Sequence, residues 1–431
     1  MSTKTVPFWK EPTKAQYATF FAAWVGWVLD AFDFTVFLLV MPHIEKEFGV
    51  KHVATAGSIA LTLLARLVGG WFAGKAADRW GRKLPLLISV VWFAVCDGAV
   101  ALAPSFTAIL VLRTLFGLGM GAEWTSGTTL AMENWPARSR GIASGVLQGS
   151  WAVGYLLAGV VSAYVVPHYG WRALFVVAAL PALAALPMRA FVPESDEWKK
   201  ERAGSTVEPT LRELFAKHPG LLRRTIWGCF AMAAGFGAYY AVTGPYPKML
   251  FTELGFNEGG VARLIVVFNI GMMIGSTVWG VVASKRGVAW GLAIPAGVAL
   301  LVLPLYAGRI EGGLALTVGA ALAGIFAVGF SGVTPLLLTG LFPAAGRARL
   351  VGLVYHIGAL FAGFVPMGVA ALAEHSGMTL GKSLWLVSSV LELALLVLVV
   401  ASRATHSSKT ATESRASGDD VTGDEAIVFE V

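Results

Sequence analysis

Apolar stretches of about 20 residues recur along the whole chain and are separated by short polar or basic segments. About 20 apolar residues in a helix cross the roughly 30 Å hydrocarbon core of a bilayer, so each stretch predicts a membrane-spanning helix. We predict twelve spans, numbered in chain order. They cover approximately residues 18–41, 55–75, 84–103, 106–132, 141–166, 171–192, 224–249, 259–283, 288–307, 314–340, 350–373 and 381–401.

The pattern predicts an all-α membrane protein built from two six-helix bundles. The first bundle covers 1–192, a polar connector covers 193–223, and the second bundle covers 224–402. Residues 403–431 are rich in Ser, Thr, Asp and Glu and predict a disordered tail. Only 14% of the 431 residues are charged and 56% are hydrophobic, whereas soluble domains are about 25% charged. This composition excludes a soluble protein with one buried helix.

The formal net charge of +7 could indicate a nucleic-acid-binding protein, but the positions of the basic residues give another explanation. Most Lys and Arg residues of the loops fall on the face that carries the connector. The opposite face receives only Lys46, Lys51, Arg172, Lys248, Arg309 and Lys382. Because cytoplasmic loops carry the excess of Lys and Arg, the connector face is predicted to be cytoplasmic, with both termini on it. We therefore expect no nucleic-acid partner and a location in the plasma membrane, the inner membrane of a bacterium.

The two halves resemble each other at an offset of 206 to 207 residues. The segment Gly74 to Gly81 after span 2 is echoed by Gly280 to Gly287 after span 8, and Pro136 to Gly145 is echoed by Pro343 to Gly352. Two related six-helix halves joined by a long connector are typical of a transporter with its site near the midplane. Ser284 stands where the first half has Asp78, so charge contacts at these two places are predicted to be unequal.

Charged side chains occur in the centre of the first half: Asp30 and Asp33 in span 1, Arg66 in span 2 and Glu123 in span 4. A charged side chain in the centre of a membrane costs about 2.5 to 3.5 kcal/mol on insertion scales, so a helix that only anchors the protein would not carry it. At about 1.5 Å per residue, all four lie in the middle third of the membrane. Asp30 and Asp33 are three residues apart and share a helix face.

These four residues are candidates for proton coupling and anion binding. Burial and like charge both disfavour ionisation of neighbouring carboxyl groups, which is what a proton-coupling group requires. We assign this role to Asp30, Asp33 and Glu123. Arg66 keeps its charge and can offer two parallel N–H groups to the carboxylate of a substrate, or to one of these acids when the site is empty. The alternative is an ion-pair network that only holds spans 1, 2 and 4 together.

Asp97 in span 3 and Arg113 in span 4 lie at equal height, about seven residues from the ends of their helices, and are predicted to pair. We include both among the proton-coupling candidates, with a structural pair as the alternative.

The second half offers mainly aromatic and amide groups. Tyr239 and Tyr240 lie in span 7 among Gly and Pro residues, which can interrupt a helix where it lines a cavity. Asn269 in span 8, with Tyr355 and His356 in span 11, completes the predicted substrate-binding set. The alternative for His356 is a structural residue with satisfied hydrogen bonds.

Residues at the cytoplasmic ends of the helices are predicted to control access rather than to contact substrate. Ion pairs between helix ends that form in one access state and break in the other bias a rocking equilibrium. The predicted gating set is Gly74, Asp78, Arg79, Gly81, Arg82, Lys83, Glu133 and Arg140.

Several motifs resemble the major facilitator superfamily. G-K-A-A-D-R-W-G-R-K (74–83) is similar to its signature between spans 2 and 3, and R-T-L-F-G-L-G-M-G-A-E-W (113–124) to its span 4 pattern. M-E-N-W-P-A-R-S-R-G (132–141), G-W-R (170–172) and P-E-S (193–195) resemble its carboxylate and sugar carriers. L-D-A-F-D-F (29–34) with G-A-E-W is most similar to the sialate:proton symporter family, and is also similar to aromatic-acid:proton symporters. The resemblance implies a twelve-helix fold and organic-acid symport.

The predicted function is secondary active uptake of a small organic acid, most simply a monocarboxylate such as lactate, with protons. Sialic, aromatic and dicarboxylic acids, and an exporter or antiporter, are the alternatives. An ATP-driven pump is not indicated, because Gly381-Lys382-Ser383 lacks the upstream glycine of a phosphate-binding loop. We expect no enzymatic activity, no cofactor and no metal, with the proton gradient as the driving force and a monomer in the bilayer.

Overall fold

A computed structural model of the protein describes residues 10–50, 52–190, 192–204, 209–308 and 312–417, and all regular structure in these ranges is helical. The helices are α1 (Lys14–Phe48), α2 (His52–Trp80), α3 (Lys83–Val100), α4 (Phe106–Asn134), α5 (Arg140–Ala190), α6 (Asp196–Gly204), α7 (Leu211–Lys217), α8 (Leu221–Thr243), α9 (Tyr246–Thr252), α10 (Glu258–Arg286), α11 (Val288–Tyr306), α12 (Gly313–Ala323), α13 (Thr334–Leu341), α14 (Arg347–Ala362), α15 (Val365–Ser376) and α16 (Leu380–Ser417).

Eleven stretches in the described ranges are long and apolar enough to cross a membrane, and one of them contains two spans. Helix α5 has 51 residues, which at about 1.5 Å per residue would extend over twice the thickness of the hydrocarbon core. Its helical geometry is interrupted at Gly170, where φ is 78° and ψ is 167°. Glycine adopts a positive φ at little cost, so the chain turns here. Spans 5 and 6 are the parts of α5 before and after Gly170, and the protein has the predicted twelve-helix architecture.

Spans 7, 10 and 11 are not single α-helices. Span 7 consists of α8 and α9, which separate at Gly244 and Pro245, and span 11 consists of α14 and α15. Span 10 runs from α12 through a π-helical turn (Gly324–Val328) and a 3₁₀ turn (Gly329–Val333) into α13. The sequence predicts one continuous helix over 314–340, so this break is a difference between prediction and structure.

Close backbone contacts explain the irregular part of span 10. A Cβ atom at Gly324 would lie 2.1 Å from the carbonyl oxygen of Phe268, and one at Gly332 would lie 2.1 Å from that of Ser276. The backbone of span 10 therefore packs directly against span 8. Irregular backbone at membrane depth is tolerated where it is buried in protein or lines a cavity.

The two halves meet through the glycines of the repeat. A Cβ at Gly74 of span 2 would lie 2.7 Å from the Cα of Arg349 in span 11, and one at Gly280 of span 8 would lie 2.2 Å from the carbonyl oxygen of Gly141 in span 5. Gly74 and Gly280 are equivalent in the repeat. The internal repeat thus places two matching backbone contacts on either side of the interface, as expected for two bundles related by a pseudo-two-fold axis.

The connector and the C-terminal segment contain helices that the sequence pattern does not predict. The connector includes α6 and α7, and Thr210 caps α7 by accepting a hydrogen bond from the backbone N–H of Glu213 at 3.3 Å. Helix α16 continues to Ser417, although disorder is predicted from residue 403. Extending an existing helix avoids the unfavourable nucleation step, which favours this continuation. Residues 418–431 of the predicted tail lie outside the described residues.

Candidate functional site

A cavity lies between the two halves. Spans 1, 2 and 5 line it from the first half, and spans 7, 8, 10 and 11 line it from the second. The lining residues are Trp27, Arg66, Gln148, Trp151, Met232, Gly235, Phe236, Tyr239, Tyr240, Met272, Val328, Phe330, Ser331, Thr334 and Tyr355. A concave, mostly aromatic space with a few polar groups is typical of a small-molecule site.

Arg66 is the one Lys or Arg among these lining residues. Its guanidinium carbon lies 5.6 Å from the ring centroid of Trp27 and 5.5 Å from that of Tyr355. Both rings attract the guanidinium through cation–π contacts, and Arg66 is only 3% exposed. Its Nη2 lies 3.9 Å from Oδ2 of Asp30, and neither Nε nor Nη2 has a hydrogen-bond partner in the described part of the chain. Arg66 is therefore held in place with N–H groups available to an anion.

Asp33 belongs to a second charged group with Asp97 and Arg113. Nη1 of Arg113 donates to Oδ1 of Asp97 at 3.1 Å, which is the pair predicted from their equal height. The carboxyl of Asp33 is the neighbour of Asp97 and lies within electrostatic reach of Arg113. The guanidinium carbon of Arg113 lies 4.6 Å from the ring centroid of Phe37. All three charged residues are at most 1% exposed and none of them lines the cavity.

The structure thus divides the predicted charge cluster in two. Asp30 lies with Arg66 at the cavity, whereas Asp33, only one helical turn away, lies with the Asp97 pair. Glu123 accepts a hydrogen bond at its Oε2 from Oγ of Ser89 in span 3, at 3.0 Å. Of the three acids predicted as possible partners of Arg66, Asp30 lies 3.9 Å from its Nη2.

Three of the predicted substrate-binding residues of the second half line the cavity: Tyr239, Tyr240 and Tyr355. Asn269 does not, and its Nδ2 donates to the carbonyl oxygen of Ile265 in its own helix at 2.9 Å. His356 also lies outside the lining, because its ring points toward span 4. There its Nε2 lies 3.2 Å from the carbonyl oxygen of Gly121. The helix faces that carry Asn269 and His356 point away from the cavity.

Several lining residues were not predicted from the sequence. Trp151 of span 5 donates its indole N–H to the hydroxyl oxygen of Tyr239 in span 7 at 3.1 Å, and so joins the two halves beside the cavity. Gln148 lies one turn before Trp151, and Ser331 and Thr334 come from the irregular part of span 10. The polar residue Gln148 in an apolar span is a signal that could have been used. Nothing in the pattern indicated the break that exposes Ser331.

An ion-pair network joins the two halves on the connector side. Asp78 of span 2 accepts hydrogen bonds from the backbone N–H and the Nε of Arg349 in span 11, each at 3.2 Å. Glu133 of span 4 accepts one from Nη1 of Arg347 at 3.1 Å. Both pairs join the first half to the second. We call these residues, together with Arg82, the connector-side network.

Arg82 links the two carboxylates of this network. Its Nη1 lies 3.2 Å from Oδ1 of Asp78, and its Nη2 donates to Oε1 of Glu133 at 3.1 Å. Arg82 is completely buried. Burial opposes its charge, but Glu133 and Asp78 beside it raise the pKa of the guanidinium above its ordinary value. Arg82 therefore remains charged at any physiological pH.

The connector is part of the same network. The indole of Trp198 donates to the carbonyl oxygen of Asp78 at 2.8 Å, and Nη2 of Arg349 donates to the carbonyl oxygen of Pro209 at 2.9 Å. The hydroxyl of Ser195 donates to Glu133, and Arg347 also pairs with Glu197. Residues of the connector thus contact both members of each of the two ion pairs that join the halves.

The other predicted gating residues have different roles. Arg79 is exposed, with its guanidinium carbon 5.3 Å from the ring centroid of Trp80. The backbone N–H groups of Arg82 and Lys83 donate to Glu194, and a Cβ at Gly81 would collide with the same carboxylate. Arg140 donates to the carbonyl oxygen of Trp135 at 3.1 Å and contacts Glu197 at 3.4 Å.

The equivalent place in the second half has no such network among the described residues. The hydroxyl of Ser284, the counterpart of Asp78, is buried without a hydrogen-bond partner there. A Cβ added at Gly141 would lie 2.4 Å from this hydroxyl oxygen. The two equivalent places therefore differ, as predicted. Ion pairs join the halves at Asp78, whereas close packing joins them at Ser284.

The family model described as Major Facilitator Superfamily matches residues 23–304. The chain belongs to the Major Facilitator Superfamily. It is therefore a multi-pass membrane transporter and not an enzyme.

The sialic acid transporter NanX of Escherichia coli is 28% identical over 396 residues, covering 91% of this chain and 95% of that protein. The cis,cis-muconate transport protein of Acinetobacter baylyi is 29% identical over 369 residues, covering 84% and 89%.

A protein of known structure has the same fold. The proton:xylose symporter XylE, bound to 6-bromo-6-deoxy-D-glucose, superimposes with a TM-score of 0.76 at 18% identity and covers 89% of this chain and 95% of its own. At this identity the likeness shows the twelve-helix fold alone.

Proposed function

We propose that the protein is a proton-coupled symporter that takes up a small organic acid across the bacterial inner membrane. The observation that carries this proposal is Arg66, a buried cation with N–H groups free in the cavity between the halves. A guanidinium binds a carboxylate through two parallel hydrogen bonds, which gives both affinity and orientation. Two of the similar proteins carry names of organic-acid transporters, which supports the same substrate class.

A single carboxylate is the anion that suits this cavity best. Arg66 is the one cationic side chain among its lining residues, and a second substrate carboxylate would require a second cation. The aromatic residues Trp27, Trp151 and Tyr239 offer apolar faces to the remainder of the molecule. We therefore favour a monocarboxylate with a compact apolar or cyclic body.

We assign proton coupling to the two charged groups of the first half. Asp33 lies with Asp97 and Arg113 outside the cavity, so its proton can come and go without direct contact with substrate. Asp30 lies 3.9 Å from Arg66 and competes with a substrate carboxylate for the guanidinium. Protonation of Asp30 releases Arg66 for the anion, which links proton and substrate binding through one side chain.

Transport then requires the connector-side network to open. The Asp78–Arg349 and Glu133–Arg347 pairs join the halves on this side, which we take as cytoplasmic because it carries the basic loops, and we propose that these pairs keep it closed. Breaking them lets the halves separate on this side and exposes the cavity to the cytoplasm. Both termini then lie in the cytoplasm.

The proposal is tested in two steps with the purified full chain. A thermal-shift screen against organic acids identifies a ligand, because a bound ligand raises the melting temperature by mass action. The labelled ligand is then followed into proteoliposomes with an imposed pH gradient. We expect accumulation that depends on the gradient and that is abolished in Arg66→Gln. Arg212→Gln serves as the matched control, since Arg212 is an exposed residue of α7 outside the predicted sites. Uptake that ignores the gradient and survives neutralisation of both Asp30 and Asp33 would show that proton symport through this pair is wrong.

A further inference from the structure

Gln148 lines the cavity with an unused hydrogen-bond acceptor. Gln148 is only 4% exposed, and its side chain lies beside that of Tyr355. Its amide oxygen Oε1 is buried and has no partner within the described residues. A buried acceptor that finds no donor in the folded protein costs free energy, and such groups occur where a ligand supplies the missing hydrogen bond.

Tyr355 lies between this acceptor and Arg66. The guanidinium carbon of Arg66 is 5.5 Å from the centroid of the Tyr355 ring, and the side chain of Gln148 lies beside the same tyrosine. The ring stacks on Trp124 with 3.3 Å between centroids and 18° between planes. The cation and the acceptor thus both neighbour one tyrosine that is packed against a buried tryptophan.

Ser331 provides a second unused polar atom from the other half of the protein. It lies in the 3₁₀ turn of span 10, lines the cavity, and its buried Oγ has no partner in the described ranges. The turn cannot shift easily, because a Cβ at the next residue, Gly332, would lie 2.1 Å from the carbonyl oxygen of Ser276. A serine hydroxyl can accept or donate a hydrogen bond.

We propose that Gln148 and Ser331 form a polar subsite that accepts a hydroxyl or N–H group of the substrate near the carboxylate held by Arg66. This proposal rests on the proposed function and names the substrate class more closely: hydroxylated or N–H-bearing organic acids. An acid without such a group leaves the Oε1 atom of Gln148 desolvated and unpaired in the complex. A site built to hydrogen-bond a substrate group discriminates strongly against an analogue that lacks it.

The test compares acids that differ by one hydroxyl group. The probes are benzoate with its 2-, 3- and 4-hydroxy derivatives, and propionate with 2-hydroxypropionate. Dissociation constants are measured by calorimetry on the purified full chain. For at least one matched pair we expect the wild type to bind the hydroxylated acid about tenfold or more tightly than its parent.

The variants Gln148→Met and Ser331→Ala are each expected to reduce this ratio toward one. Ser389→Ala is the matched control, since Ser389 is a serine of span 12 whose buried Oγ also lacks a partner in the described residues but which does not line the cavity. It is expected to keep the wild-type ratio. Detectable binding of the parent acid by Gln148→Met shows that this variant is folded.

The outcomes separate this proposal from the proposed function. If acids bind, depend on Arg66 and show the same hydroxyl preference in the wild type and in both subsite variants, the subsite is wrong and the anion carrier stands. A wild type that binds every parent acid as tightly as its hydroxylated partner also overturns the subsite. If no acid of any kind binds or none depends on Arg66, the proposed function itself fails.

Discussion

The carboxylate of Asp78 accepts hydrogen bonds from the backbone N–H and from the Nε of Arg349, each at 3.2 Å, across the interface between the two halves. Replacing Asp78 by Asn removes the charge and leaves Arg349 buried against a neutral amide. Breaking a buried ion pair by removing one partner costs about 3 to 5 kcal/mol. This cost falls on the state that is closed on the connector side, so Asp78→Asn should favour the state that is open there.

The shift is measured by labelling a cysteine introduced by Thr334→Cys, a residue that lines the cavity, with an impermeant maleimide from the connector side. We expect labelling about tenfold faster or more in the Asp78→Asn background, since each 1.4 kcal/mol changes a population ratio by about ten. Ser284→Ala, at the equivalent place in the repeat, should leave the rate unchanged. Equal rates in all three backgrounds would contradict a gating role for Asp78.

Asp33 and Asp30 should respond differently to neutralisation. Asp33 lies with the Asp97–Arg113 pair and outside the cavity, so Asp33→Asn should abolish accumulation driven by a pH gradient while exchange of labelled for unlabelled acid continues. Asp30 lies beside Arg66, so Asp30→Asn should tighten acid binding by removing a competing carboxylate. Counterflow and calorimetry on the same preparations check both outcomes. Loss of counterflow in Asp33→Asn would place Asp33 in substrate binding instead.

Gly280→Ala should impair the protein although it adds only one methyl group. The new Cβ would lie 2.2 Å from the carbonyl oxygen of Gly141, so the two halves must separate locally. Overpacking of this kind costs about 1 to 3 kcal/mol. We expect a lower melting temperature and slower transport. Gly159→Ala is the control, because a Cβ there meets nothing within 4 Å and alanine has the better helix propensity. A Gly280→Ala protein as stable and as active as Gly159→Ala would contradict a tight contact.

Glu253, at the end of span 7, should stabilise the start of span 12. Its carboxylate accepts the backbone N–H groups of Leu380 and Gly381, the latter at 3.0 Å. These N–H groups lie in the first turn of α16 and have no partner within the helix, so Glu253 acts as its cap. Glu253→Ala should lower the free energy of unfolding by about 0.5 to 2 kcal/mol, the usual cost of losing a cap. Thermal unfolding of Glu253→Ala beside the exposed Glu374→Ala measures this, and equal melting temperatures would refute it.

The sequence predicted which residues lie at equal heights better than the directions in which they point. Counting along the helices placed Asp97 opposite Arg113, and the two residues form an ion pair in the structure. The same counting could not give the rotation of each helix about its axis. Packing between helices decides that rotation. As a result, the ring of His356 faces span 4, and the side chain of Asn269 hydrogen-bonds to the backbone of its own helix.

The backbone of span 10 was beyond prediction for a related reason. Its π and 3₁₀ turns depend on glycines that pack against span 8, which is a contact between segments far apart in sequence. A local pattern of apolar residues shows only that the segment is long enough to cross the membrane. Ser331 therefore became visible as a cavity residue only once the two spans were placed together.

The contacts at Gly74 and Gly280 are made largely by main chain, whereas the cavity is lined by side chains. A substitution at Gln148 or Ser331 therefore changes the lining of the cavity but leaves these main-chain contacts between the halves unaltered. The lining of the cavity and the main-chain packing between the halves depend on separate positions of this protein. An engineer could accordingly alter Gln148 or Ser331 while keeping the same interface.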